Sequence, residues 1–276
     1  MKNKRDKLPT FYIPHGGGPW HVMNDAFGDP VGYGKLKEYL ENLGQQFSQK
    51  IKAILVISAH WEEDLPTVHF GSNLPLLYDY YGFPESTYHL DWPALGNPEL
   101  AERIENLIQA NYFTTKREYK RGFDHGTFVP LMIAFPKPEI PVVQLSLVKT
   151  LDPETHIKLG KALEPLRNEG VLIIGSGMSY HNMHGFISGG ISAIENAEKF
   201  DGWLKKAVLN PNINERSTAL INWQKAPAAQ ECHPRSEHLA PLFVIAGAAG
   251  SDIGIIDYAG TLMGVKISGY KFGKYE

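Results

Sequence analysis

Short apolar runs, separated by longer segments of mixed polarity, form the dominant pattern along this chain. Runs rich in Val, Ile, Leu and aromatic residues predict β-strands. They cover residues 9–14, 51–58, 66–70, 140–148, 171–176 and 261–268. A sheet is therefore expected at the centre of the fold.

The intervening segments carry the start and stop signals of α-helices. Asn97-Pro98-Glu99 and Asp152-Pro153-Glu154 each place a cap, a first-turn proline and an acidic residue before an apolar face. The second of these helices is expected to end at Gly170. Further helices are expected near residues 35–49, 191–209, 214–225 and 236–248. Strands that alternate with helices predict an α/β fold with a mainly parallel or mixed central sheet flanked by helices.

Composition narrows the class of protein. The chain has 276 residues, 43% of them hydrophobic and 21% charged, and no linker, so we expect a single domain over residues 1–276. A net charge of −3 argues against nucleic acid as a partner. No apolar stretch reaches the ~18–20 residues needed to cross a membrane. Cys232 is the only cysteine and no secretory signal is evident, so we expect a cytoplasmic monomer or small homo-oligomer.

Three histidines follow predicted strands. His15 comes directly after the first strand, His60 follows the second, and His181 follows the run at 171–174 through a glycine-rich exit. Ligands of open α/β sheets collect in the crevice beyond the carboxyl ends of the strands. Imidazoles delivered to that one edge predict a metal site or a proton-transfer site.

The sequence around the first two histidines allows more than one interpretation. His15-Gly16-Gly17-Gly18-Pro19 lacks both the Walker ending and the G-x-G-x-x-G spacing of phosphate-binding loops. Its glycines suit close approach of the backbone to an ion or substrate, or a tight turn with an incidental histidine. His60 alone is typical of a buried structural histidine, whereas its equivalence to His15 favours a metal ligand.

Further histidines lie in polar segments later in the chain. Asp124 precedes His125 and could orient its ring. Asp124 or Thr127 could cap the helix that follows, and the two roles are compatible. Between His181 and His184, we expect His181 to face the site, as a further ligand or as a general acid/base.

The sequence leaves two adjacent residues, Glu237 and His238, as candidates for the third metal ligand. Ser236 is expected to cap a helix, which would place Glu237 and His238 in its first turn, pointing about 100° apart. Glu237 with His15 and His60 would form the two-histidine, one-carboxylate set of Fe(II) oxygenases. His238 instead would complete a three-imidazole set that also suits Zn(II).

With these residues in place, the chain resembles the class III extradiol ring-cleavage dioxygenases, and within them the 4,5-DOPA dioxygenase extradiol-like branch. Each motif is short, but the ordered set is specific and spans most of the chain. It comprises HGGGP at 15–19, SAHW at 58–61, YDYYGFP at 78–84, GFDHGTF at 122–128, IPVVQLSL at 140–147, GSGMSYHN at 175–182 and HPRSEHLAPL at 233–242.

The resemblance implies metal ligation by His15, His60 and His238, where protocatechuate-type members have a glutamate as the third ligand. It also implies that His181 is the catalytic acid/base or a fourth group near the metal, and that His125 lines the substrate site. The implied cofactor is Fe(II), with Zn(II) as the alternative. The implied partners are a small catecholic substrate, DOPA-like or related, and O₂, with no nucleic acid or membrane.

The segment 75–96 is expected to be a long ordered loop, and such loops are usually functional. Its aromatic residues could form a wall of the substrate site or belong to the core. They are Tyr78, Tyr80, Tyr81 and Phe83.

Two other functions compete with the dioxygenase. A three-imidazole site could activate water in a zinc hydrolase. The same fold could also serve as a non-catalytic binding module.

Overall fold

One mixed sheet of eight strands runs through the part of the chain that this computed structural model describes, residues 7–47 and 51–274. The strands are β1 (Thr10–Pro14), β2 (Ala53–Glu63), β3 (Thr67–His69), β4 (Lys116–Glu118), β5 (Val142–Val148), β6 (Val171–Gly177), β7 (Gly254–Leu262) and β8 (Val265–Phe272). The helices are α1 (Pro30–Phe47), α2 (Pro98–Ala110), α3 (His125–Ala134), α4 (Pro153–Leu163), α5 (Met183–Ser188), α6 (Gly190–Val208), α7 (Ile213–Ile221), α8 (Ala229–Cys232) and α9 (Ala240–Ala248).

The strand order is β4-β3-β5-β2-β6-β1-β8-β7. The four strands β5, β2, β6 and β1 are parallel, whereas β3, β8 and β7 join by antiparallel pairing. Every residue of β5 and β6 is buried, as expected for parallel strands covered on both faces. The predicted α/β fold with a mixed central sheet is confirmed. Among the described residues, no helix is long and apolar enough to cross a membrane.

Both predicted proline-containing helix starts are confirmed. The Asn97 side chain accepts a hydrogen bond from the Leu100 N–H, and the Asp152 side chain accepts one from Thr155 N–H. The second helix is shorter than predicted, because α4 ends at Leu163 and a 3₁₀ segment continues to Asn168. Gly170 then turns the chain with a φ of +88°.

Four predicted boundaries are corrected. The segment 261–268 is not one strand, because Met263 and Gly264, both at positive φ, form the tight turn between β7 and β8. The helix near 35–49 begins at Pro30, and its predicted end falls outside the described residues. The helix at 214–225 ends at Ile221, with a 3₁₀ turn after it. The helix at 236–248 begins only at Ala240.

Helices α1 and α3 approach each other most closely at Gly44. A Cβ atom at this position would overlap the carbonyl oxygen of Ala134. We expect Gly44→Ala to lower the free energy of unfolding by about 1–3 kcal/mol, because the helices must separate. Urea denaturation of the purified variant measures this change.

Gly34 is the matched control on the same helix, since it is exposed and no atom lies within 4 Å of an added Cβ. Gly34→Ala is expected to raise the free energy of unfolding by about 0.4–1 kcal/mol through the loss of backbone entropy in the unfolded chain. Equal stability of the two variants would contradict a tight contact between α1 and α3.

His156 links the end of β5 to the start of α4. Its Nε2 accepts a hydrogen bond from Val148 N–H (3.1 Å), and its Nδ1 donates to the Asp152 carbonyl (2.7 Å). Burial lowers the pKa of this imidazole below its ordinary value of 6.5. The neutral ring therefore contributes stability that is complete above pH 6.5 and is lost as the pH falls, because the unfolded chain binds the proton first.

We expect His156→Gln to flatten the dependence of unfolding free energy on pH below 6.5. The slope should decrease by up to about 1.4 kcal/mol per pH unit, the value for one proton. Denaturation of metal-free wild type and variant across a pH series gives both slopes. Identical slopes would show that His156 does not resist protonation in the folded state.

Candidate metal and active site

Five histidines converge at the carboxyl edge of the parallel strands. One follows β1, one lies in β2, one opens α3, one lies beyond β6 and one lies in the turn before α9. In that order they are His15, His60, His125, His181 and His238. The structure therefore brings together all five histidines that the sequence singled out, whereas His184 is exposed on α5 and contacts Ser188.

His15 and His60 face each other through their Nε2 atoms, which lie 3.2 Å apart. The Nδ1 of His15 lies 3.0 Å from Ser176 Oγ, and that hydroxyl donates its own proton to the Gly126 carbonyl. Ser176 must therefore accept from His15, which places the imidazole proton on Nδ1. The Nε2 of His15 is left as a lone pair directed at His60.

His60 lies where β2 separates from β6. Pairing of these strands ends at Ser58, and the register of β2 against β5 shifts between Ile57 and Glu62. The His60 carbonyl accepts a hydrogen bond from Arg121 (3.0 Å), and its Nδ1 lies 3.5 Å from an oxygen of Asp79. This irregular stretch directs the ring out of the sheet and toward His15.

His238 completes the group from the opposite side. Its ring centroid lies 5.1 Å from that of His15 and 4.9 Å from that of His60. Its Nδ1 donates to the Glu237 carboxylate at 2.9 Å. The prediction that Ser236 caps a helix is wrong, since residues 237–239 form a turn, and in that turn the carboxylate and the imidazole contact each other.

His181 stacks on one of these rings, and His125 lies tilted beside another. His181 lies on His238 with a centroid separation of 3.3 Å and an interplanar angle of 14°. His125 lies 3.9 Å from His60 by the same measure. His181 is held by its backbone N–H, which donates to Cys232 O, and His125 by Asp79, which accepts from its backbone N–H and its Nδ1.

The histidines at the centre are neutral. Burial, reinforced by the neighbouring histidines, lowers the pKa of both His15 and His238 well below 6.5. Burial also lowers the pKa of His60 to about 3. Neutral imidazoles keep the lone pairs that metal ions bind.

This donor set fits a divalent metal ion. If Nδ1 carries the proton in both rings, two Nε2 lone pairs face each other at 3.2 Å with no proton between them. Two nitrogens that share one ion at about 2.1 Å have a similar separation. The donor atoms fall into two groups, each within 4.8 Å: His15, His60 and His125, and His181, Glu237 and His238.

Asp79 is a site residue that sequence reasoning missed. Its two carboxylate oxygens lie 2.8 Å from His125 Nδ1 and 3.5 Å from His60 Nδ1. Burial alone would raise its pKa, but the hydrogen bonds and charges of these histidines hold the pKa at about 2. The only signal was its position in the YDYYGFP motif of the long loop.

Asp124 does not orient His125, contrary to one of the two predicted roles. It caps α3 by accepting from Thr127 N–H, as the other role requires. Its carboxylate also accepts from Ser58, Arg121 and Gln144 at 2.6, 2.9 and 2.7 Å. This buried network fastens the start of α3 to β2 and β5, and so fixes His125 relative to His60.

Packing explains the glycines after His15. A Cβ at Gly16 would overlap the indole of Trp20, whose Nε1 donates to the His15 carbonyl, and a Cβ at Gly18 would press on Phe83. Both glycines have positive φ. Here they serve a tight turn packed under aromatic rings.

The predicted aromatic wall is only partly formed. Tyr80 lies 5.9 Å from His125 between ring centroids and contacts Phe83. Tyr78 packs against Phe128, whereas Tyr81 is exposed. The loop at 75–96 contains one 3₁₀ segment, Glu85–Tyr88, in the part of the chain that is described.

Comparison with known proteins agrees with this geometry. The profile of the family described as "Catalytic LigB subunit of aromatic ring-opening dioxygenase" matches residues 9–271. The 4,5-DOPA dioxygenase extradiol of Beta vulgaris is 42% identical over 248 residues, which cover 88% of this chain and 87% of that protein. Dioxygenase tasH of Hapsidospora irregularis is 32% identical over 283 residues, covering 96% of this chain and 85% of that protein.

A solved structure of an uncharacterized protein from Escherichia coli K12 has the same fold. Its TM-score is 0.78 at 26% sequence identity, and the match covers 96% of this chain and 100% of that one. The dioxygenases of the matching family use a metal, in keeping with the histidine cluster. The chain thus belongs to the family of the LigB catalytic subunit of aromatic ring-opening dioxygenases, and it is an extradiol ring-cleaving dioxygenase.

Proposed function

We propose that this enzyme holds Fe(II) with His15, His60 and His238 and cleaves the ring of a catecholic substrate with O₂. The observation that carries the proposal is the direction of the ring nitrogens. In each of the three rings, Nδ1 faces an oxygen of the protein: Ser176 Oγ, Asp79 Oδ2 and Glu237 Oε1, respectively. Each Nε2 is therefore free to bind a metal ion, and the ring centroids of His15, His60 and His238 lie 4.9, 5.0 and 5.1 Å from one another.

Fe(II) bound by three donors on one face would offer open positions for a chelating catecholate and for O₂. The remaining chemistry falls to residues of this chain. The protein orients both reactants at one centre, which removes much of the entropic cost of bringing them together. Proton transfer then requires an imidazole beside that centre in which one ring nitrogen is held by the protein and the other can accept a proton.

His181 is the proposed acid/base. Its Nδ1 lies 3.3 Å from Glu237 Oε1, so Nε2 is the atom that can accept a proton from a catechol hydroxyl. The same atom can return that proton as the ring opens. The stacking of His181 on His238 keeps this nitrogen beside the proposed metal ligand.

His125 is proposed to bind the substrate. Because its Nδ1 donates to Asp79 at 2.8 Å, its Nε2 is an acceptor for a second hydroxyl. Tyr80 and Phe83 lie next to this ring and supply apolar surface for an aromatic substrate. Since the relatives from Beta vulgaris and Mirabilis jalapa are named for 4,5-DOPA, a DOPA-like catechol is the first substrate to test.

Zn(II) is the competing metal, because a set of three histidines also forms catalytic zinc sites. A zinc hydrolase or a non-catalytic module is less consistent with membership of a ring-opening dioxygenase family. The two metals can be distinguished by activity, because Fe(II) can take part in redox chemistry with O₂ and Zn(II) cannot.

The test is reconstitution of metal-free protein under anaerobic conditions with either Fe(II) or Zn(II), followed by a panel of catechols in air. We expect the Fe(II) protein alone to consume one O₂ per catechol and to form a yellow ring-opened product. Oxygen uptake and absorbance are recorded together, so that simple catechol oxidation is recognised by its different product spectrum. Activity of the Zn(II) protein, or no ring opening with any catechol, would count against the proposal.

A further inference from the structure

Two carboxylates stand behind the histidine cluster, and each contacts two imidazoles. Asp79 faces His60 and His125, one through each oxygen, at 3.5 and 2.8 Å. Glu237 faces His238 and His181 through one oxygen, at 2.9 and 3.3 Å. Each carboxylate thus joins a proposed metal ligand to a histidine proposed to handle the substrate.

Both carboxylates are fixed independently of any metal. Asp79 accepts the backbone N–H of His125 at the start of α3 (2.9 Å). Glu237 Oε2 lies 3.5 Å from Arg235, whose guanidinium is itself paired in two-pronged fashion with Glu62. The side chains of both are largely buried, with 19% and 14% of their surface exposed. The backbone hydrogen bond fixes Asp79. Glu237 Oε2 has no hydrogen-bond partner among the described residues, so Glu237 is positioned by its two imidazole contacts and by its ion pair with Arg235.

The two carboxylates can balance the charge of a metal ion that is bound by neutral imidazoles. A two-histidine, one-carboxylate set brings one negative charge into contact with the metal, whereas three imidazoles bring none. A divalent cation held by neutral donors in a buried site is favoured when anions lie close behind its ligands. Asp79 and Glu237 supply two such charges, each one imidazole away from the centre.

We infer that Asp79 and Glu237 are positioning residues that strengthen metal binding through His60 and His238, and that each also aligns the adjoining proton-handling histidine. The inference rests on the proposed function, because it takes His60 and His238 as ligands. Each carboxylate accepts a hydrogen bond from the Nδ1 of one ring, His125 or His238, and lies 3.5 or 3.3 Å from the Nδ1 of the other, His60 or His181. A proton held on each of these Nδ1 atoms leaves Nε2 unprotonated on the far side of the ring. Asp79 and Glu237 therefore orient both the proposed metal ligands and the histidines proposed to handle the substrate and its protons.

The test measures Co(II) affinity by competition with a chromophoric chelator, which needs neither O₂ nor turnover. Asp79→Asn and Glu237→Gln keep the side-chain shape and remove the charge. We expect each variant to bind Co(II) about 10–100-fold more weakly than the wild type. The visible spectrum of bound Co(II) should also shift, because the basicity and orientation of one ligand have changed.

Glu105→Gln is the matched control. Glu105 is a buried carboxylate on α2 that pairs with Arg117 of β4, outside the site. This variant should bind Co(II) as the wild type does. A second comparison repeats Glu237→Gln in a His181→Ala background. The loss of affinity should persist there, because Glu237 acts on the metal through His238.

The outcomes separate this inference from the proposed function. Wild-type protein that binds neither Co(II) nor Fe(II) would overturn both. Wild-type binding that is lost in His238→Ala, but is unchanged in both carboxylate variants, would overturn the inference alone. Thermal unfolding of the metal-free variants identifies a purely structural role, which would lower the melting temperature and leave the affinity of the folded protein unchanged.

Discussion

Replacing His238 by alanine is expected to abolish ring cleavage and to weaken Fe(II) binding by more than about 100-fold, since even outer-shell partners of a metal ligand contribute 10–100-fold. The change removes one of three proposed nitrogen donors and leaves the Glu237 carboxylate without one of its two imidazole partners. Metal content after dialysis and oxygen uptake with a catechol measure the two effects. Addition of excess Fe(II) should restore little activity, because two ligands cannot hold the ion in the required geometry.

His184→Ala is the control for this experiment. His184 is an exposed histidine on α5, and among the described residues its hydrogen bonds are made to Ser188 of the same helix. Its loss should therefore change neither metal content nor rate. A His238→Ala protein that keeps both its iron and its activity would remove His238 from the ligand set. The two-histidine, one-carboxylate set with Glu237 would then have to be reconsidered.

Replacing His181 by glutamine is expected to lower kcat by about 10²–10⁴-fold while the iron content stays at the wild-type level. The amide can fill the space beside His238 but cannot accept and return a proton near neutral pH. Steady-state kinetics with the best catechol, together with metal analysis of the same sample, measure both quantities. Loss of iron along with activity would instead identify His181 as a fourth ligand.

Local sequence patterns predicted the central strands, and with them the positions of His15 and His60. Continuous apolar runs define buried parallel strands, and a histidine just beyond such a run must lie near the carboxyl edge of the sheet. Strands β4 and β7 were not predicted as separate elements. β4 has three residues, and β7 is buried only at Gly254, Tyr258 and Leu262 and lacks a sustained apolar run. Their pairing is decided by neighbouring strands.

The choice between Glu237 and His238 could not be made from spacing, because it depends on a turn in place of the expected first turn of helix. The resemblance to extradiol dioxygenases was needed to select His238. Asp79 had no signal beyond its place in the YDYYGFP motif, since its partner His125 is 46 residues away in the sequence. Such contacts depend on how the long loop folds over the sheet edge.

The strand order has a consequence for when the enzyme can acquire its metal. His15 follows β1 and His60 lies in β2. These strands are close in the sequence but are separated in the sheet by β6, residues Val171–Gly177. Their facing nitrogens therefore take up their positions only after the strand between them has been inserted. A nascent chain on the ribosome carries both histidines long before it contains β6, so it has no preformed centre to load. With His15 and His60 as the proposed ligands, metal uptake follows the synthesis of β6, and with His238 as the proposed third ligand it also follows the synthesis of the turn before α9.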